Sequence, residues 1–187
     1  MSQKTLIFYQ SKTGFTQRYA MQIAQQTGAQ LLELKKASAA ALAGYDTILF
    51  GSRAHAGRID GWPKAQKLLA AARRGGAARC ALFVTGATPA SERQTVEGFW
   101  AQNLTGAQQR DLPHFYLQSG LCYEKMPLID RLMMKGLCAM LRAKKHKTGQ
   151  DAAMLRMIAH SFDASSDAFA APVIEWVRAG AGPPPAV

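Results

Sequence analysis

Acidic residues are scarce in this chain: 12 Asp and Glu stand against 23 Lys and Arg in 187 residues, leaving a net charge of +11. An anionic partner is therefore expected, and the sign alone leaves nucleic acid, an acidic membrane surface and a phosphate or polycarboxylate ligand open. Cysteine is equally sparse. Cys80, Cys122 and Cys138 are odd in number and far apart, which excludes a disulfide framework and a CxxC or zinc-type pair and leaves buried or incidental thiols. No metal site is expected. No apolar run reaches the length of a spanning helix, and the N-terminal block in MSQKTLIFYQSKTG is too short for a signal peptide, so a cytoplasmic protein is the expectation. The basic stretch lacks interleaved aromatics beyond Tyr123 and no nucleic-acid reading motif occurs, so nucleic acid is not expected as the partner.

What is present is an alternation. Continuous apolar blocks recur at Thr5 to Tyr9, Thr47 to Phe50, Cys80 to Val84 and Phe115 to Leu117, with a weaker one at Gln30 to Leu34; such blocks read as strands buried on both faces. Between them run helix-period sets, Phe15, Tyr19, Ile23, then Ala65, Leu68, Leu69, Ala72, then Val96, Phe99, Trp100, Leu104. Pro63 suits the first turn of the second helix, and Ser91 is placed to cap the third. Right-handed crossovers then give an α/β fold with a doubly wound parallel sheet and helices on both faces. Residues 1–180 are expected to form one domain and 181–187 a flexible tail.

Ligands of such sheets bind outside the carboxyl ends of the strands. The segments that matter are Gln10 to Thr16, Gly51 to Arg58 and Thr85 to Ser91. In the first, Ser11, Thr13 and Thr16 surround Gly14 where strand gives way to helix. Helix-terminal N–H groups, hydroxyl donors and a glycine that admits close approach suit a phosphate dianion, with Lys12 adding charge. A polar turn with a threonine cap is the alternative. Neither G-x-x-x-x-G-K-[ST] nor G-x-G-x-x-G is present, which excludes the commoner phosphate fingerprints.

About 45 residues, Gly120 to about Ala164, separate the last strand from a final helix ending in Val173-Ile174-Glu175-Trp176-Val177. That is long for a βα connection. A helix beginning near Pro127 would carry Ile129, Leu132, Met133, Leu137, Met140 and Leu141 on one stripe. Seven Lys or Arg lie between Lys125 and Lys147 against one acid, Asp130. The helix either packs its stripe on the domain or lies on a membrane surface.

The pattern [ST]-x-T-G-x-T, matched by Ser11, Thr13, Gly14 and Thr16, resembles the first loop of flavodoxins. The resemblance implies a flavodoxin-like five-stranded sheet ordered 2-1-3-4-5, FMN as cofactor, and contacts from Ser11, Lys12, Thr13, Gly14, Phe15 and Thr16, from Ser52, Arg53, Ala54 and His55, and from Thr85, Gly86 and Ala87. The second and third segments carry none of the aromatics that commonly sandwich the flavin ring. Gly120-x-x-Tyr123 followed by Asp130-Arg131-Leu132-Met133-Met134-Lys135 resembles, more narrowly, the flavodoxin-type, quinone-dependent protoporphyrinogen IX dehydrogenases of haem biosynthesis, which tend to carry arginine where this chain has His55. That resemblance implies an FMN-dependent oxidoreductase taking electrons from protoporphyrinogen IX, or a similar anionic tetrapyrrole, to a membrane quinone. Arg53, His55 and Arg58 are then candidates for holding substrate propionates, segment 125–147 for peripheral contact with the inner face of the cell membrane, and no side chain is assigned acid-base catalysis because the flavin carries the chemistry. A flavodoxin-type electron carrier and a flavin-free membrane-surface module are the alternatives.

Overall fold

The computed structural model describes residues 4–77, 79–146 and 148–180, so the expected tail at 181–187 and the end of the basic run at Lys147 lie outside the described residues. The main sheet runs β2 (Gln30–Glu33), β1 (Thr5–Tyr9), β3 (Thr47–His55), β5 (Arg79–Gly86), β6 (His114–Gln118), with every neighbouring pair parallel. A sixth, two-residue strand, β4 (Arg58–Ile59), pairs antiparallel with the end of β3. Alternation of side chains across the pleat divides the core. Phe8, Ile48, Phe50, Leu82 and Val84 face α3 (Trp62–Arg74) and α4 (Arg93–Asn103). Ile7, Leu49, Ala81, Phe83 and Leu117 face α1 (Phe15–Thr27) and α8 (Asp167–Arg178).

Two expected loops are corrected. The apolar block at Thr47 stops at Phe50, yet β3 continues to His55, because Gly51, Ser52 and Arg53 still pair with Phe83, Val84 and Thr85. It then turns through Ala56 and Gly57, at φ 48° and 74°, into β4. Two consecutive residues in the left-handed region match the twist of a tight hairpin. Thr85 and Gly86 likewise belong to β5. Ser91 does not cap α4, whose preceding residue is Glu92 and whose N-terminus receives no side-chain hydrogen bond. Short helices α2 (Ala39–Leu42) and α5 (Gly106–Asp111) complete the connections, the latter held by a Thr105–Gln108 capping box.

The long connection is built from β7 (Gly120–Leu121), α6 (Leu128–Ala143), α7 (Gly149–Ile158) and β8 (Phe162–Asp163), with β7 and β8 paired antiparallel. Its helices close on a small cluster, Cys138, Leu141 and Ile158, supported by Leu121, Met134 and Leu137. The expected single stripe of α6 is therefore split. Leu137 and Leu141 pack inward, while Ile129, Leu132, Met133 and Met140 are exposed. Among the described residues no helix is long and apolar enough to cross a membrane, and no group of His, Cys, Asp or Glu is arranged to hold a metal ion.

Candidate functional site

The first loop turns at Gly14, which sits at φ 97° as the residue preceding α1 and leaves the helix without a side-chain cap. An L side chain is strained there. The threonine-capped turn is thus not what forms, and the first-turn N–H groups of α1 remain without intrahelical acceptors. Beside them the Ser11 hydroxyl is buried with no hydrogen-bond partner. Such an orphan costs about 1–3 kcal/mol unless something meets it. Lys12 is exposed on the same loop. Lys125, from the insertion, stands over the turn, its Nζ 3.9 Å from where a Cβ on Gly14 would lie. Donors without acceptors, an orphaned hydroxyl and two cations fit a phosphate group.

Thr16 behaves differently from its neighbours. The residue is 1% exposed and its Oγ1 lies 2.9 Å from Thr85 Oγ1. Thr85 donates to the Ser52 carbonyl at 3.3 Å, which leaves Thr16 as the donor between the two threonines. The Ser52 hydroxyl in turn donates to the Asp60 carbonyl. These three hydroxyls fasten the start of α1, β5 and the β3–β4 hairpin to one another. Gly86 is buried and Ala87 half-buried, next to Tyr116, whose hydroxyl donates to the Thr88 carbonyl at 3.1 Å. Burial pushes the Tyr116 phenol up to about 12 despite that bond.

The end of β3 meets the insertion. Arg53 donates through Nε to Asp60 at 3.1 Å and through Nη2 to Asp130 at 2.9 Å, and His55 Nε2 lies 3.1 Å from the other Asp130 oxygen. Arg53 and Asp130 are only 11% and 12% exposed. Burial would raise the Asp130 carboxyl, but the Arg53 hydrogen bond and the charges of His55, Arg53 and Lys12 outweigh it and hold it below the usual carboxylate range. Arg53 and His55 are thus brought together, with Ala54 half-buried between them. Arg58 is not with them: it is exposed and donates to the Gln102 carbonyl on α4 at 3.4 Å. Asp60, Lys125 and Asp130 join this site without having been assigned to it from sequence. Two signals pointed at Asp130: it is the single acid in the basic run, and it opens the Asp130 to Lys135 segment that carries the narrower resemblance.

Two cavities flank the first loop. One of about 1020 Å³ lies between α1 and the insertion, lined by Gly14, Phe15, Met21, Leu121, Lys125 and Phe162 among others. At its rim Arg18 forms a paired hydrogen bond to Asp163, at 2.9 and 3.0 Å. The other, about 340 Å³, is lined by Tyr9, Ser11, Lys12 and Lys35.

A family model described as a flavodoxin domain matches residues 6–148. No curated protein matches the chain. Similar solved structures include rubredoxin oxygen:oxidoreductase from Desulfovibrio gigas, 15% identical over 95% of this chain and 37% of that one, with a TM-score of 0.42. The chain thus spans little more than a third of that protein's length. Two-electron reduced flavodoxin from Megasphaera elsdenii is 15% identical over 60% of this chain and 82% of its own, TM-score 0.40. Oxidised Flavodoxin 2 from Bacillus cereus is 23% identical, over 62% of this chain and 85% of its own, TM-score 0.40. The family match covers well over half of the sequence, and the chain belongs to the flavodoxin domain family.

Proposed function

We propose that this flavodoxin-family chain holds FMN with its phosphate at the first loop and oxidises protoporphyrinogen IX, or a similar anionic tetrapyrrole, passing the electrons to a membrane quinone. FMN bound there would supply the two-electron redox chemistry; the chain supplies position and charge. The Ser11 hydroxyl and the first N–H groups of α1 are the phosphate donors, with Lys12 and Lys125 neutralising it. Arg53 and His55 are the basic side chains proposed for a substrate carboxylate, which would have to compete with Asp130 for them. The larger cavity is lined by Phe15, Met21, Leu121 and Phe162 together with Arg18 and Lys125, which suits a greasy macrocycle bearing carboxylates; Arg53 and His55 are not among its lining residues.

One observation carries the reading: the insertion reaches both halves of the site, setting Lys125 over Gly14 and Asp130 against Arg53 and His55. The segment that carries the narrower resemblance thereby pairs with the end of β3, and Lys125 of the same insertion stands near the first loop. The test is anaerobic: purified protein, FMN, a quinone and protoporphyrinogen, read by porphyrin fluorescence. A signal no greater than FMN alone rejects the enzyme. Replacing Ser11 and Thr13 together with Ala should weaken FMN binding at least tenfold, roughly one charge-assisted hydrogen bond's worth, in a fluorescence titration.

A plain electron carrier is the second reading, favoured by the family itself. It predicts a flavin that reduces protein partners and never oxidises a porphyrinogen. A flavin-free surface module draws support from the pairing of Arg53 and His55 with Asp130, which already satisfies those cations; a bound-flavin spectrum after reconstitution rejects it.

A further inference from the structure

The 16 residues of α6 present three stripes. One packs on α7 through Leu137, Cys138 and Leu141. A second exposes Leu128 at 69%, Ile129 at 72%, Leu132 at 59%, Met133 at 53% and Met140 at 62%. The third, along one edge of the exposed apolar stripe by helical spacing, carries Arg131, Lys135 and Arg142. Those three cations line a cavity of about 620 Å³ whose opposite wall is Tyr123, Glu124, His160 and Ser161. Glu124 is its only carboxylate among the lining residues, and it is already engaged by Ser161 Oγ at 2.8 Å. Lys135 and Arg142 make no ion pair among the described residues, and the Arg131 Nε is buried without a partner while its Nη2 holds the Glu124 and Met126 carbonyls. Three cations and one carboxylate around a cavity beside an uncovered apolar stripe leave an excess of positive charge that matches a ligand with phosphate at one end and hydrocarbon at the other.

We propose that this cavity takes the phosphate of an anionic glycerophospholipid in a bilayer surface, with Leu128, Ile129, Leu132, Met133 and Met140 lying among the adjoining acyl chains. A second copy of the chain is a poorer occupant, because it would bring two bodies of net charge +11 face to face along their basic edges. The proposal rests on the membrane-facing part of the proposed function and is independent of its flavin chemistry. It locates the docking plane on α6, the element whose Asp130 grips Arg53 and His55, so that the redox site would stand beside the bilayer that holds a quinone.

The test is flotation of the full chain with vesicles of phosphatidylcholine, with or without phosphatidylglycerol. The chain should float with the anionic vesicles and stay behind with the neutral ones. Lys135→Gln with Arg142→Gln should lower partitioning about 25-fold, roughly fivefold for each cation near the surface. Ile129→Ser with Met133→Ser should weaken it as well, which simple surface electrostatics would not require. All four side chains are exposed, so circular dichroism should be unchanged in both variants. Equal flotation with both vesicles, or wild-type flotation of the Lys135→Gln, Arg142→Gln variant, overturns the site. So does calorimetric binding of inorganic phosphate by a chain that does not float. Porphyrinogen oxidation with a water-soluble quinone is read separately: its persistence in a variant that no longer floats separates failure of the enzyme from failure of the lipid site.

Discussion

The sheet core and the insertion use the same apolar residue types in opposite ways. In the core Phe8, Ile48, Phe50, Leu82 and Phe83 are wholly buried, whereas α6 turns five large apolar side chains outward over a core of only Cys138, Leu141 and Ile158. Burying each exposed side chain would yield about 1.5–3 kcal/mol. The insertion forgoes that gain. Large exposed apolar surfaces are commoner at interaction sites than elsewhere, and that is why the partner proposed above is placed on the insertion and not on the sheet. Among the described residues charged side chains join the two at two places: Asp130 on Arg53 and His55, and Arg18 on Asp163.

The comparison breaks first on stability. Phe50 packs its ring 4.9 Å from Phe8 and 6.3 Å from Trp62. Phe50→Ala should cost about 3–5 kcal/mol, and Leu132→Ala no more than about 0.5 kcal/mol, in denaturant unfolding followed by circular dichroism. Comparable losses would mean that the α6 face is covered in solution and the contrast is false. The next effect is at the joint. Asp130→Asn keeps the shape and removes the charge that Arg53 and His55 share, and should cost about 1.5–3 kcal/mol. Amide exchange should quicken across residues 120–163 and leave β1 and β5 unchanged; uniform quickening would show the insertion to be one cooperative unit with the sheet.

Much of the core was legible because buried strands announce themselves. Thr5 to Tyr9 is β1 to the residue, and Val173 to Val177 lies within α8. The end of β3 was not, since Ser52 and Arg53 stay in the sheet through backbone pairing that an apolar count does not register. The small helices α5 and α7 carry their signal in capping boxes, Thr105 with Gln108 and Thr148 with Asp151, and not in apolar period. In the first loop the motif marks the right turn, but it does not sort its hydroxyls. Ser11 is left without a partner while Thr16 is spent on Thr85, a partner 69 residues away. Asp130 lies 77 residues from Arg53, and only the fold brings them together.

The smallest expected effect concerns the second tie between insertion and sheet domain. The Arg18 hydrogen bond holds the Asp163 carboxyl well below its usual range, outweighing burial, with Ser165 adding two further bonds. Arg18 and Asp163 are 51% and 48% exposed, so the pair is worth only about 0.2–1 kcal/mol. A carboxyl whose folded pKa is depressed stabilises the fold above its unfolded value, near 3.8, and loses that contribution as pH falls from there through the lower folded value. Asp163→Asn should therefore lower Tm slightly at neutral pH and not at all in strong acid, the two melting curves converging as pH drops below about 4. A difference that stayed constant with pH would assign the loss to packing around residue 163 instead of to its charge. That outcome would leave Asp130 as the charged joint between the two regions, and the orientation of α6 would then depend on the same carboxylate that holds Arg53 and His55.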